Sequence, residues 1–399
     1  MHYALAALLC FAILTLWVPA WWPVTVFQVG VFALASVVCF RAGIPARSDQ
    51  IERPAWKLPF PVIPLVFAIL WGVVQWAAGL SSYPVATRTA IVHWATLLAV
   101  FLIGCSAFRK PSALRWFRSA MVWFGFVVSI QATLQSYTAG GRVFWLFPTE
   151  YSDYVMGPIV YHNHYAAFIE VILPMALYEA LRCEKRKLLH GAAPAVMYAS
   201  VIASASRAGA VLATLEVVVV MAILWRRGRA SGRAVGVSLA SIAGLCILFT
   251  LIVSPEGVWS RFHQGDVMRP QFAAASLHML AEHPLAGVGL GTWPTVYPHY
   301  AEVDFNVFVN QAHSDWLQWA AEGGIPFVLM LAALFGWTVR IAFRSVWGLG
   351  AVAVFLHALL DYPFSRPALS SWVMVIVAML WAHEASQGQP SARRDSVLH

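Results

Sequence analysis

The run Ala234-Val235-Gly236-Val237-Ser238-Leu239-Ala240-Ser241-Ile242-Ala243-Gly244-Leu245-Cys246-Ile247-Leu248-Phe249-Thr250-Leu251-Ile252-Val253-Ser254 carries no charge in 21 positions. A helix needs about 20 mostly apolar residues to cross a bilayer, so this stretch points to a membrane-spanning chain. The composition around it agrees. Of 399 residues, 60% are hydrophobic and 11% charged, against about 25% charged in an ordinary soluble domain. A globular surface cannot absorb that excess of apolar side chains, which excludes both a soluble enzyme and a disordered chain. Eleven more apolar runs lie roughly at 3–21, 24–40, 62–79, 90–107, 119–136, 164–181, 192–206, 208–225, 315–339, 347–361 and 368–384. The expected fold class is an all-α polytopic membrane protein: one integral membrane domain over 1–399, about 12 transmembrane helices, and a flexible cytoplasmic tail at 385–399. The first run ends like a secretory signal at Val18-Pro19-Ala20 but has no basic start, so it is expected to be a retained helix. The runs at 192–206 and 208–225 meet at a tight Ser206-Arg207-Ala208-Gly209 corner, which leaves a broken or re-entrant pair open.

The net charge of +8 from 26 Lys/Arg and 18 Asp/Glu looks at first like a nucleic-acid signal. Its distribution says otherwise. Twenty of the basic residues, including all four lysines, fall in alternate loops and at the C-terminus, the pattern of cytoplasmic loops. Both termini are therefore expected in the cytoplasm. Six arginines remain for the other face: Arg88, Arg142, Arg207, Arg261, Arg269 and Arg366. That face also holds a segment too long for a turn, 255–313 between the ninth and tenth spans. Long loops in compact proteins tend to be functional or disordered, and this one is not of low complexity. Phe272, Ala275, Met279 and Leu280 mark an amphipathic helix over 271–283, whose apolar face is expected to lie on the bilayer or cover a cavity. Pro284 ends it before the turn Gly287-Val288-Gly289-Leu290-Gly291. This turn follows a helix rather than a strand, so it is no nucleotide-binding loop.

Several stretches are specific enough to carry a resemblance. One runs from Arg269 through Glu282-His283-Pro284-Leu285-Ala286-Gly287-Val288-Gly289-Leu290-Gly291. Another is His313-Ser314-Asp315-Trp316-Leu317-Gln318-Trp319, leading into Glu322-Gly323-Gly324. With Asn163-His164-Tyr165-Ala166-Ala167, Ser206-Arg207-Ala208-Gly209 and His357-Ala358-Leu359-Leu360-Asp361-Tyr362-Pro363, they resemble the O-antigen ligase and polymerase family in order and spacing. The chain departs from the family at Phe327, where a second glycine is common.

The resemblance implies a metal-independent, glycosyltransferase-C-like helical bundle with a large periplasmic loop. It also implies transfer of a preassembled glycan from an undecaprenyl diphosphate carrier at the periplasmic face of the bacterial inner membrane. Lipid A-core is the expected acceptor, because the protein-glycosylating branch often carries an extra C-terminal region. Polymerisation onto a second carrier-linked glycan and protein O-glycosylation stay open within the family. A lipid or polysaccharide transporter is the contrasting class. Such a transporter is expected to hold ionisable residues at the bilayer midplane, between repeats.

The chemistry of such a transfer fits particular residues. A diphosphate leaving group needs cations, and arginine donates bidentate bonds with a charge that persists at any working pH. The first outer turn, Pro19-Ala20-Trp21-Trp22-Pro23, has no carboxylate for a metal, so neither metal nor other cofactor is expected. Carried onto this sequence, the catalytic set is His313, Arg207 and Arg269. The diphosphate-binding set is Arg207, Arg269, Arg261 and Arg142, with Arg261 the rival of Arg269. Asn163, His162, Asp361, Arg366 and Trp316 are further candidate substrate contacts, and Trp293 and Trp316, near the motifs, are the candidates for stacking on sugar. Histidine titrates near pH 6.5 in general, which suits a base at neutral pH. His313 is expected either to take the acceptor's proton or to bind the diphosphate, while Ser314 or Asp315 caps the following helix. Glu170, Glu216 and Glu322 lie within spans, where helix–helix hydrogen bonding is the expectation.

Overall fold

The computed structural model describes residues 1–43, 58–149, 155–182, 187–228 and 268–387, with the single positions 232, 236, 240, 243 and 244. The run at 234–254 therefore lies almost wholly outside the described residues, as do Arg261 and the tail beyond 387. The other eleven runs each coincide with a helix. In chain order these are α1 (His2–Leu14), α2 (Trp22–Gly43), α3 (Val62–Ala77), α4 (Pro84–Ala107), α5 (Pro111–Thr138), α6 (His162–Arg182), α7 (Lys187–Ala203) and α8 (Arg207–Arg226). Two helices of the long segment follow, α9 (Met268–Glu282) and α10 (Trp293–Tyr300), then α11 (Asp315–Ala342), α12 (Leu349–His357) and α13 (Pro367–Gln387). A two-stranded hairpin pairs β1 (Arg142–Val143) with β2 (Phe147–Pro148). Among the described residues, seven helices are long and apolar enough to cross a membrane: α2, α4, α5, α6, α8, α11 and α13. α1, α3 and the segment Val346–His357 are shorter apolar helices.

Local chemistry sets the helix ends. Proline opens α4, α5 and α13, where its missing N–H costs nothing. Ser206 and Ser314 cap α8 and α11 by accepting from the Gly209 and Leu317 amides. α6 and α13 occupy the centre of the bundle, with 83% and 78% of their apolar windows buried, whereas α2 has 17% and presents its side chains outward. α1 belongs to the bundle core. Its Leu5, Leu9 and Ile13 are fully buried, and the Trp372 indole N–H of α13 donates to the Leu9 carbonyl.

The segment before α11 has a small core of its own. Phe272, Ala275 and Met279 of α9 pack with Val288, Trp293, Tyr297, Ala312 and Ala321. The buried face runs through 272, 275, 276 and 279, so Ser276 replaces the expected Leu280, and the helix begins three residues before the expected 271. This face is seated on the start of α11 rather than spread on a bilayer. Trp293 lies inside this core, with no exposed ring face, and donates to Ser276. Burial leaves it no surface on which a sugar could stack.

The glycine turn clamps this segment to the bundle. The Val288 and Gly289 amides donate to the Ala321 and Glu322 carbonyls, and Ser82 of the α3–α4 connection donates to Val288. Gln75 of α3 donates to the carbonyls of Ala286 and Glu322 and accepts from Leu290. The Glu322 carboxylate accepts from the Gly291 amide at 2.8 Å, the Trp293 amide at 3.1 Å and the Gln318 side chain at 3.0 Å. α11 breaks at Gly324, with φ 74°, and the next amide, Ile325, donates to Pro284. Phe327 fills the space beside this break, fully buried against Trp94.

Candidate active site

The N-termini of α6, α8, α11 and α13 and the C-terminus of α12 converge at one end of the bundle. Asp361, four residues past the end of α12, is their centre and is fully buried. His313 Nδ1 stands 3.6 Å from Asp361 Oδ1, and His164 Nε2 of α6 stands 4.0 Å from Asp361 Oδ2. The backbone holds the two partners in register, because the Asp315 amide donates to the Asp361 carbonyl at 3.0 Å. His313 has φ 53°, the left-handed region that costs a side-chain-bearing residue about 1–2 kcal/mol. Its ring is stacked on Phe272 at 5.6 Å and meets the edge of Tyr362 at 5.0 Å. The strained backbone thus aims an imidazole that is braced on two sides and stands within ion-pair reach of a carboxylate.

The cations reach this centre from different elements. Arg269, in the first turn of α9, donates to the Leu360 carbonyl at 2.8 Å, which ties the long segment to the residue before Asp361. Arg366 lies over the Tyr362 ring at 5.4 Å. Arg207 stands exposed at the first position of α8. Its cap, Ser206, also donates to Asn163 Oδ1 at 2.7 Å, and the Asn163 amide donates to the Tyr161 hydroxyl at 3.0 Å. Tyr161 packs on His164, His162 and Tyr362. A continuous set of contacts therefore joins the Arg207 corner to Asp361. Burial, aided by Asp361 and Tyr362, pushes the Tyr161 hydroxyl well above its usual range and keeps it a neutral hydrogen-bonding group.

The structure gathers His313, Asp361, Arg269, Arg366, Asn163 and His162 into one neighbourhood, with Arg207 on the adjoining corner. Arg142 stands exposed on β1, away from these contacts. Trp316 is turned elsewhere: its indole N–H donates to the Phe355 carbonyl at 2.9 Å, and its ring packs on Trp319, Phe335 and Phe355. His164, Tyr161 and Tyr362 join this neighbourhood without being among the expected site residues. His164 and Tyr362 lie within the quoted motifs, and Tyr161 directly precedes His162.

Asp315 does more than begin a helix. Its carboxylate is fully buried and accepts from the Phe364 amide at 2.7 Å and the Ser365 hydroxyl at 2.8 Å. It straps the start of α11 to the segment between Asp361 and Arg366. Asp315→Ala leaves the Phe364 amide buried and unpaired, at about 1–3 kcal/mol. We expect thermal unfolding in detergent to show that loss. An unchanged unfolding temperature would contradict the strap.

A family model described as O-antigen ligase matches residues 192–332. That stretch holds Arg207, Arg269, the glycine turn and His313, while Asp361, Arg366 and the α6 residues lie outside it. No curated protein matches the chain closely enough to be counted a relative. Over residues 192–332 the chain is thus similar to the O-antigen ligase family.

Proposed function

We propose that the protein is an O-antigen ligase that moves a preassembled glycan from undecaprenyl diphosphate to lipid A-core at the periplasmic face of the inner membrane. One observation carries the reading: a strained, braced His313 lies within ion-pair reach of the buried Asp361, with Arg269 and Arg366 fixed beside it. In the reaction, the acceptor hydroxyl oxygen bonds to the anomeric carbon. The bond from that carbon to the diphosphate oxygen breaks, and its electron pair leaves with the diphosphate. The hydroxyl proton passes to His313 Nε2, while Asp361 holds Nδ1 and balances the imidazolium that forms. This is the division of labour between base and orienting carboxylate in hydrolytic triads. Arginines offset the growing charge of the leaving group, where fixed donors in a water-poor site are worth most.

Arg207, at the N-terminus of α8, has helix amides behind it that also favour an anion. Arg207→Lys keeps the charge but loses the planar fork. With a charge-assisted bond worth about 1.5–3 kcal/mol, we expect kcat/KM for the donor to fall about tenfold or more in this variant and further in Arg207→Ala. Wild-type kinetics in the alanine variant would remove Arg207 from the site.

Glu170, Glu216 and His357 are buried within the spans, the kind of residue a transporter would use. Catalysis by the purified protein in detergent separates the classes. A ligase releases the glycan from its carrier with no membrane and no gradient. A transporter leaves the donor intact, and that result would overturn the reading.

A further inference from the structure

A second acid–histidine pair lies one turn deeper than Asp361. His357 is the last residue of α12, and Glu170 projects from α6; both are completely buried. His357 Nδ1 is 2.9 Å from one Glu170 carboxylate oxygen and 3.0 Å from the other. The two helices meet closely because residue 350 is glycine. A Cβ there would stand 2.4 Å from the carbonyl oxygens of Glu170 and Val171. Side chains lean toward the N-terminus of their own helix. Glu170 therefore reaches from beside Gly350 toward the far end of α12, where His357 lies.

The pair is coupled to the site through the backbone. The Asp361 amide donates to the His357 carbonyl at 3.0 Å, so the imidazole and the carboxylate are four residues apart on one helix end. Neither Asp361 oxygen has a hydrogen-bond partner within the described residues, nor does His357 Nε2. A buried carboxylate in that situation depends on nearby positive charge. His357 sits in the last turn of its helix, where a cation is favoured, and the Glu170 carboxylate stands against its Nδ1. Among the described residues, further ionisable groups act on this set: Tyr161 and Tyr362, His164 on α6, His313 and Asp315 at the start of α11, Arg269 on α9, Arg366 ahead of α13, and Glu216 of α8 beside Glu170.

We propose that Glu170, acting through His357, is a positioning residue for Asp361 and thereby for His313. This rests on the reading of His313 as the base. Glu170 accepts the Nδ1 proton of His357, fixes the ring and leaves its other edge free. The fixed ring sits one turn below Asp361 and steadies the helix end whose backbone carries that carboxylate, and so His313. The site is then two stacked histidine–acid pairs, the outer one meeting substrate and the inner one holding the outer in place.

The test uses the full-length protein in detergent, with the carrier-linked glycan as donor and lipid A-core as acceptor. Wild type, Glu170→Gln, His357→Gln and the double variant are compared, with rates taken per folded molecule after size exclusion. Transfer by the wild type reports on the proposed function, and the ratio of each variant to wild type reports on the inner pair. We expect kcat to fall about tenfold in Glu170→Gln, about 1.4 kcal/mol of lost positioning. KM for the donor should stay within about twofold, and the double variant should be no slower than His357→Gln alone. A wild-type kcat in Glu170→Gln overturns the proposal, and so does a loss confined to the amount of folded protein. Losses that multiply in the double variant also overturn it, because Glu170 would then act without His357.

Discussion

Transfer by His313→Ala and His313→Gly should fall about a thousandfold in both, within the range typical of a lost general base, while the affinity for the donor survives within a few-fold. The two variants should nevertheless differ in stability. His313 has φ 53°, and alanine at that position keeps the strain while glycine does not. Both lose the stacking on Phe272 and the partner of Asp361, so those costs cancel in the comparison. The glycine variant should therefore be more stable by about 1 kcal/mol, after allowing for its more flexible unfolded chain. Single-turnover kinetics and thermal unfolding of the pair check this together. Wild-type turnover in either variant removes His313 from the chemistry. Equal stability would mean that the strained backbone is not held against an energetic cost.

Gly287→Ala should be the most damaging small substitution in the long segment. A Cβ at 287 would stand 2.3 Å from both the carbonyl carbon and the oxygen of Glu322, and the glycine has φ 66°. Neither atom can step aside, since the Glu322 carbonyl accepts from the Gly289 amide and from Gln75. Strain at a positive φ and overpacking cost about 1–3 kcal/mol each, so about 3 kcal/mol in total is expected. The glycine turn would pull away from α11, and Trp293 would lose its Glu322 anchor. Limited proteolysis should then cut between α9 and α11 faster than in wild type. An unchanged cleavage rate would show that the clamp does not hold the segment.

How much of this was legible in the sequence differs from element to element. Bundle helices are local: an apolar run of the right length forms one wherever it packs. Eleven of the expected runs accordingly coincide with helices. α9 is visible through its spacing, but its buried face differs by one member, because Ser276 buries by hydrogen bonding to the Phe272 carbonyl and to Trp293. Hydropathy alone favours Leu280. Trp316 illustrates the opposite limit. Its nearness to His313 in sequence suggested a sugar platform, but its helical position directs it to α12.

The assembly of the site was the least legible part. His164, His313 and Asp361 are far apart in the chain, as are Glu170 and His357. No periodicity marks which buried histidine meets which acid. The motifs singled out His313, Arg207, Arg269 and Asp361 as residues of interest. Only the fold shows His313 and Asp361 as partners and gives Asp315 its strap to Phe364 and Ser365. Gly324 and Glu322 looked like a helix interior by hydropathy, yet they are the hinge and the anchor on which the long segment is built.

The central claim is tested most directly by offering the purified protein one labelled donor, the undecaprenyl-diphosphate glycan, with three acceptors in parallel. These are lipid A-core, a second carrier-linked glycan and a hydroxyl-bearing peptide. The account predicts that label moves to lipid A-core, that free undecaprenyl diphosphate appears in equal amount, and that the other two acceptors stay unlabelled. Label on the second carrier or on the peptide, with lipid A-core untouched, would contradict it.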